Sequence, residues 1–146
     1  MDDTHGMVDD PRPRALALLA LAPRVALELA RARIVLARLD ARMIPRLNAR
    51  AAQRGGVLSR SSKVDAVAWL VPRIARRLPW RADCLVQALA GQRCLGASGL
   101  ASRVVIGAET SSAAGFSAHA WLVCGERVVT GGDISRYTPL LGENRL

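Results

Sequence analysis

The sequence predicts an α+β fold in which helices come first and a small antiparallel sheet follows. Three observations carry this. Up to Leu95, apolar residues recur at i, i+3 and i+4; beyond Gly99 the period drops to two; and Gly125-Glu126 separates two alternating segments as a hairpin turn would. A chain of 146 residues, 51% of them hydrophobic, is one domain's worth and can bury a core without staples.

Residues 1–13 are polar, carry Pro11 and Pro13, and are expected to form a disordered tail. A single domain is then expected over residues 14–146, with a helical part over 14–60 and its functional core over 61–146. The run at residues 15–22 (ALALLALA) follows Arg12 and Arg14 and has the form of a signal peptide's apolar segment. Against that stand the acidic Asp2, Asp3, Asp9 and Asp10, and Pro23-Arg24 end the run far short of the ~20 apolar residues that a membrane span needs. A helix packed on the domain fits better. Over residues 24–42, Arg24, Glu28, Arg31, Arg38 and Arg42 share one stripe, with Val25, Leu29, Leu36 and Leu39 on a broad apolar remainder. This predicts a largely buried helix with a wet edge. Pro45 and Gly55-Gly56 mark a connection.

Ser62-Lys63-Val64-Asp65 has the pattern of a capping box, so a helix is expected to begin there. Val64, Val67, Ala68, Val71, Ile74, Ala75 and Leu78 keep helical spacing, Pro72 should kink the element, and Pro79 ends it. Asp83 is the expected N-cap of the next helix, which places Cys84 in its first turn and stops at Gly96 and Gly99. Strands follow at residues 103–108, 118–124 and 127–130, the first two joined by a Ser/Gly-rich loop.

The net charge is +9, yet Lys63 is the only lysine among 21 Lys and Arg residues and the chain is also loaded with alanine, which reads as a composition-wide preference. No stripe interleaves arginines with aromatics as base stacking requires, so a solvated basic surface that attracts an acidic peptide is expected, not nucleic-acid binding. Cys84, Cys94 and Cys124 are odd in number and lie ten and thirty residues apart, which fits neither a disulfide framework nor paired zinc knuckles. A reducing, cytoplasmic setting follows, with no metal and no cofactor expected.

Cys84 at a helix start is where unpaired amides and the helix dipole favour a thiolate; the same placement also suits a small buried apolar residue. Cys94 and Cys124 lack such a setting and read as structural. Of two histidines, His5 lies in the expected tail, so an acid/base imidazole has to be His119. On its strand His119 shares a face with Trp121 and Val123. Asp133 is the nearest carboxylate able to accept the other imidazole proton, but register matters. A two-residue loop at Gly125-Glu126 pairs Cys124 with Arg127 and His119 with Gly132, which sends Asp133 to the opposite face. One extra residue, in the turn or as a bulge at Gly131-Gly132, puts Asp133 across from His119, and that irregularity is predicted. The Cys84 amide is one expected oxyanion donor; the Trp80 indole N–H is a candidate for the second, and Trp80 equally suits core packing.

The stretches at residues 78–89 (LPWRADCLVQAL), 101–107 (ASRVVIG) and 118–122 (AHAWL), followed by Gly131-Gly132-Asp133, resemble the maturation proteases of lasso peptide biosynthesis. The likeness covers the C-terminal half, in order and spacing. It implies a papain/transglutaminase-like cysteine peptidase core and a triad carried by Cys84, His119 and Asp133. It also implies an activity: cutting the leader from a ribosomally made precursor peptide, whose core a separate ATP-consuming lasso cyclase then closes. In some members a leader-recognition domain is fused upstream. The first half of this chain reads as helices without a β-rich module, so the resemblance implies a standalone protease working with a separate leader-recognition protein. Neither nucleic acid nor membrane is among the implied partners.

Overall fold

A single helix, α1 (Ala15–Leu36), absorbs both the alanine-leucine run and the charged stripe, with Pro23 inside it. Pro23 lies on the exposed side, where water can serve the carbonyl whose helical partner is missing. The structure is a computed structural model and describes residues 14–38, 40–53, 55–56, 61–112 and 115–142; the expected tail and His5 lie outside these. The helix expected to reach Arg42 stops at Leu36. The carboxylate of Asp40 accepts from the Arg42 amide (3.3 Å) and so diverts the backbone into a short 3₁₀ turn at Ala41–Met43. Pro45, read as part of a connection, instead stands in the first turn of α2 (Ile44–Ala52), where a missing amide costs no hydrogen bond.

Helix α3 (Ser62–Ala75) is capped one residue earlier than expected: Ser61 Oγ accepts from the Lys63 amide at 3.2 Å. Asp65 pairs with Arg127 of the sheet, which removes it from any cap. Helix α4 (Cys84–Ala97) follows, with Asp83 at the N-cap position but without a side-chain cap bond. The four strands are β1 (Arg103–Ser112), β2 (Gly115–Cys124), β3 (Arg127–Thr130) and β4 (Thr138–Leu141), antiparallel in the order β3-β2-β1-β4. The first two extend well into the segment expected as a Ser/Gly-rich loop, and β4 was not expected. Its residues, TPLL, are too few to show a period.

The main core lies between the helices and one sheet face, where Val25 and Leu29 of α1, Val64, Val67 and Val71 of α3, and Leu95 of α4 meet Val104 and Leu122. Helix α4 approaches β2 closely because Gly91 has no side chain; a Cβ there would stand 2.7 Å from Leu122 Cδ2. On the opposite sheet face Val105, Trp121 and Val123 form a smaller cluster, against which Ile134 and Tyr137 pack. Asn48 of α2 behaves as a neighbouring strand would: its amide donates to the Val104 carbonyl and accepts from the Val104 amide, both at 2.8 Å. Among the described residues, no helix is long and apolar enough to cross a membrane.

Candidate active site

The backbone brings α4's first residue to the end of β3. The segment before Cys84 is held from two sides: Arg33 of α1 donates to the Arg81 carbonyl (3.0 Å), and Gln87 Nε2 donates to the Ala82 carbonyl (2.8 Å). Cys84 is thus the first helical residue after a segment tied down at two successive carbonyls, half-buried, with the unpaired first-turn amides about it.

His119 arrives on β2, where it pairs with Gly107 of β1. On its other side β3 has already left the ladder. Cys124 pairs with Arg127 and Val123 with Val128, but Leu122 pairs with Thr130, so Val129 is an extra residue. The expected irregularity is therefore present, two residues before Gly131-Gly132, and the strand ends at Thr130. Gly131 (φ +115°) and Gly132 (φ +66°) then turn the chain away in a region that side chains disfavour. Glycine is needed at 131 for a second reason: a Cβ would collide with that of Trp121.

Cys84 and His119 consequently line one cleft of about 490 Å³, together with Ala68 and Pro72 of α3, Gln87, and the chain from Val128 to Gly132. His119 Nε2 lies 2.7 Å from the Gly131 carbonyl oxygen. A carbonyl only accepts, so Nε2 carries the ring hydrogen and Nδ1 keeps the lone pair of a neutral base. The imidazole is also covered by Tyr137, with ring centroids 4.8 Å apart and planes at 30°.

The third expected residue, Asp133, is fully exposed, and its Oδ1 accepts from the Ser135 amide at 3.0 Å. Among the described residues no hydrogen bond or ion pair joins it to His119. Trp80, a candidate oxyanion donor, has a buried indole N–H without a hydrogen-bond partner among the described residues, and it is not one of the cleft's lining residues. Cys94 and Cys124 are buried, as expected of structural thiols; burial, with Glu28 nearby, pushes the Cys94 thiol up to about 11, and burial raises that of Cys124. No group of three metal-binding side chains gathers among the described residues.

Sequence reasoning missed the cleft's other walls. Ala68 was read only as helix periodicity and Pro72 only as a kink, and Gln87, like Tyr137 over the imidazole, was given no role. Gln87 could have been found, since it lies one helical turn beyond Cys84 on the same face. Tyr137 carried no such local signal.

A family model described as the Transglutaminase-like superfamily matches residues 26–142. No curated protein and no solved structure matches the chain.

Proposed function

Because the chain belongs to the transglutaminase-like superfamily, we propose that it is a cysteine peptidase that removes the leader from a lasso precursor peptide. Membership supports cysteine-peptidase or acyl-transfer chemistry in general. The observation that carries the peptidase reading is one cleft lined by a helix-start thiol, an imidazole whose free lone pair is on Nδ1, and residues of β3. The order and spacing of the sequence segments around these residues support the lasso assignment.

In this reading His119 takes the Cys84 proton and the thiolate adds to the scissile carbonyl carbon. The C–N bond breaks, the core peptide's amine leaves with the proton from the imidazolium, and the leader remains as a thioester on Sγ. Water, deprotonated by the same imidazole, then releases the leader as a carboxylic acid. The Cys84 amide supplies one hydrogen bond to the developing oxyanion. A separate leader-recognition protein holds the precursor, and a separate lasso cyclase receives the freed core.

The test mixes the protein, its precursor peptide and the recognition protein, and compares wild type with Cys84→Ala by mass spectrometry. The expected products, formed only by the wild type, are the core with a free amine and the leader as a free acid, whose masses sum to that of the precursor plus one water. A leader carrying an added amine would make the chain an acyl transferase, and continued cleavage by Cys84→Ala would overturn the mechanism.

A further inference from the structure

We infer that Asp133 is a positioning residue for His119, acting through the turn it closes, while the Gly131 carbonyl and the Tyr137 ring make the contacts that hold the imidazole. The inference rests on the cysteine-histidine pair proposed above. Two contacts reach His119 from one short segment: the Gly131 oxygen on Nε2 at 2.7 Å, and Tyr137 stacked on its face at 4.8 Å. Between them the chain makes two consecutive turns. The Asp133 carboxylate accepts from the Ser135 amide (3.0 Å), and the Tyr137 amide donates to the Ile134 carbonyl (3.0 Å).

A side chain bonded to the amide two residues on is the arrangement by which aspartate replaces a backbone turn. The charge of Asp133 is spent locally. Its carboxyl is held below the ordinary range by the Ser135 amide first and then by the Ser135 side chain, which outweigh burial, with the Arg136 charge adding least. The far end of the segment is anchored separately. Arg136 reaches Glu109 of β1 (3.6 Å) and donates to the Tyr137 hydroxyl (3.3 Å), which keeps the ring over the imidazole.

A carboxylate bonded directly to the imidazole, and one that only shapes the turn, respond differently to loss of charge. Asparagine keeps the side-chain oxygen that Ser135 needs and removes the charge. For a direct partner of the base, that exchange costs about 10⁴ in rate, because the tautomer is wrong. For a turn-former it costs little, whereas alanine removes the acceptor in either case.

The experiment measures the rate at which iodoacetamide alkylates Cys84 from pH 5 to 9, read by peptide mass, in wild type, His119→Ala, Asp133→Asn, Asp133→Ala, Tyr137→Phe and Tyr137→Leu. Iodoacetamide needs no peptide substrate, so the measurement is independent of precursor identity. The expected result is that His119→Ala abolishes the wild-type profile at neutral pH. Asp133→Ala and Tyr137→Leu should lower the rate there by about tenfold, and Asp133→Asn and Tyr137→Phe should restore it to within about threefold of wild type. An Asp133→Asn profile coinciding with that of His119→Ala would make the carboxylate a direct charge partner and overturn the inference while leaving the peptidase reading intact. Coinciding wild-type and His119→Ala profiles would instead remove the pair, and both readings with it. An Asp133→Ala profile coinciding with that of wild type would equally overturn the inference, and if that variant does not fold, Ser135→Pro, which removes the amide that the carboxylate meets, serves in its place.

Discussion

Three thiols of the same chain occupy three different environments, and their chemistry should separate accordingly. Cys84 is half-buried at a helix start; Cys94 is 1% exposed and Cys124 fully buried, with Cys124 Sγ donating to the Ala101 carbonyl at 3.4 Å. The Cys94 thiol is pushed from 9.0 to about 11. At pH 8 it therefore holds about a hundredfold less thiolate than an ordinary thiol, before any loss of access is counted. Limited iodoacetamide at pH 8 should label Cys84 first in the native protein, and the other two only once urea unfolds the chain. Labelling of Cys94 at the rate of Cys84 in native protein would contradict this. The distinction was legible in the sequence for a local reason: only Cys84 follows an aspartate at a helix boundary. Asp133 was harder to read. It was expected across from His119 on a continuing strand, but the ladder ends at Thr130, and where its carboxylate points depends on the turn to Ser135, which no spacing rule conveys.

Elements were readable to the extent that their ends are marked by local chemistry. Helix α3 was expected in the right place, but two adjacent serines compete for its cap, and Ser61, extended at φ −111° and ψ 141°, is the one whose oxygen meets an amide. Ser61→Ala should then destabilise the fold by about 1 kcal/mol, while Ser62→Ala, exposed in the first turn, should change stability by less than about 0.3 kcal/mol. Urea midpoints at constant m-value would measure both, and equal effects would sink the assignment. The β3 irregularity belongs to the same scale. One extra residue was deduced from what His119 requires, and Val129 supplies it earlier than the glycines do. A bulge forms where packing on both faces tolerates it, and here Val129 is buried towards the main core while Val128 packs on the opposite cluster. The glycines then serve a different purpose, turning the strand end so that a backbone oxygen meets the imidazole.

Across the whole molecule, the largest departure from expectation is Glu28. It was placed on a wet edge of its helix, and it is fully buried. Arg93 of α4 donates to it at 2.6 Å, with Arg24 and Arg31 at 3.1 and 3.3 Å, so one carboxylate ties α1 to the helix that carries Cys84. Burial raises its pKa, but the Arg93 hydrogen bond and the charges of Arg93, Arg24 and Arg31 outweigh that and leave it below the ordinary value. A carboxyl whose pKa is lowered on folding adds stability above its unfolded pKa and loses it as the pH falls through the folded one. Glu28→Gln should cost about 1–3 kcal/mol at pH 7, and the gap between variant and wild type should narrow below about pH 4. Thermal melts from pH 7 to 3 would show it; a gap independent of pH would refute the linkage.

Helix and strand order, the chain positions of Cys84 and His119, and the need for an irregular third strand could all be read without coordinates, because periodicity, caps and breakers are properties of neighbouring residues. The merging of two predicted segments into α1, the burial of Glu28, the pairing of Asn48 with Val104 and the existence of β4 could not. Each depends on which distant element arrives to supply an arginine, a backbone edge or a hydrophobic face. The site divides along the same line. Its thiol and imidazole were recognisable from residue type and local context, whereas the walls of the cleft, the Gly131 oxygen at Nε2 and the Tyr137 ring on the imidazole arise where β3 turns away from β2, a meeting that register and packing bring about and no local pattern encodes.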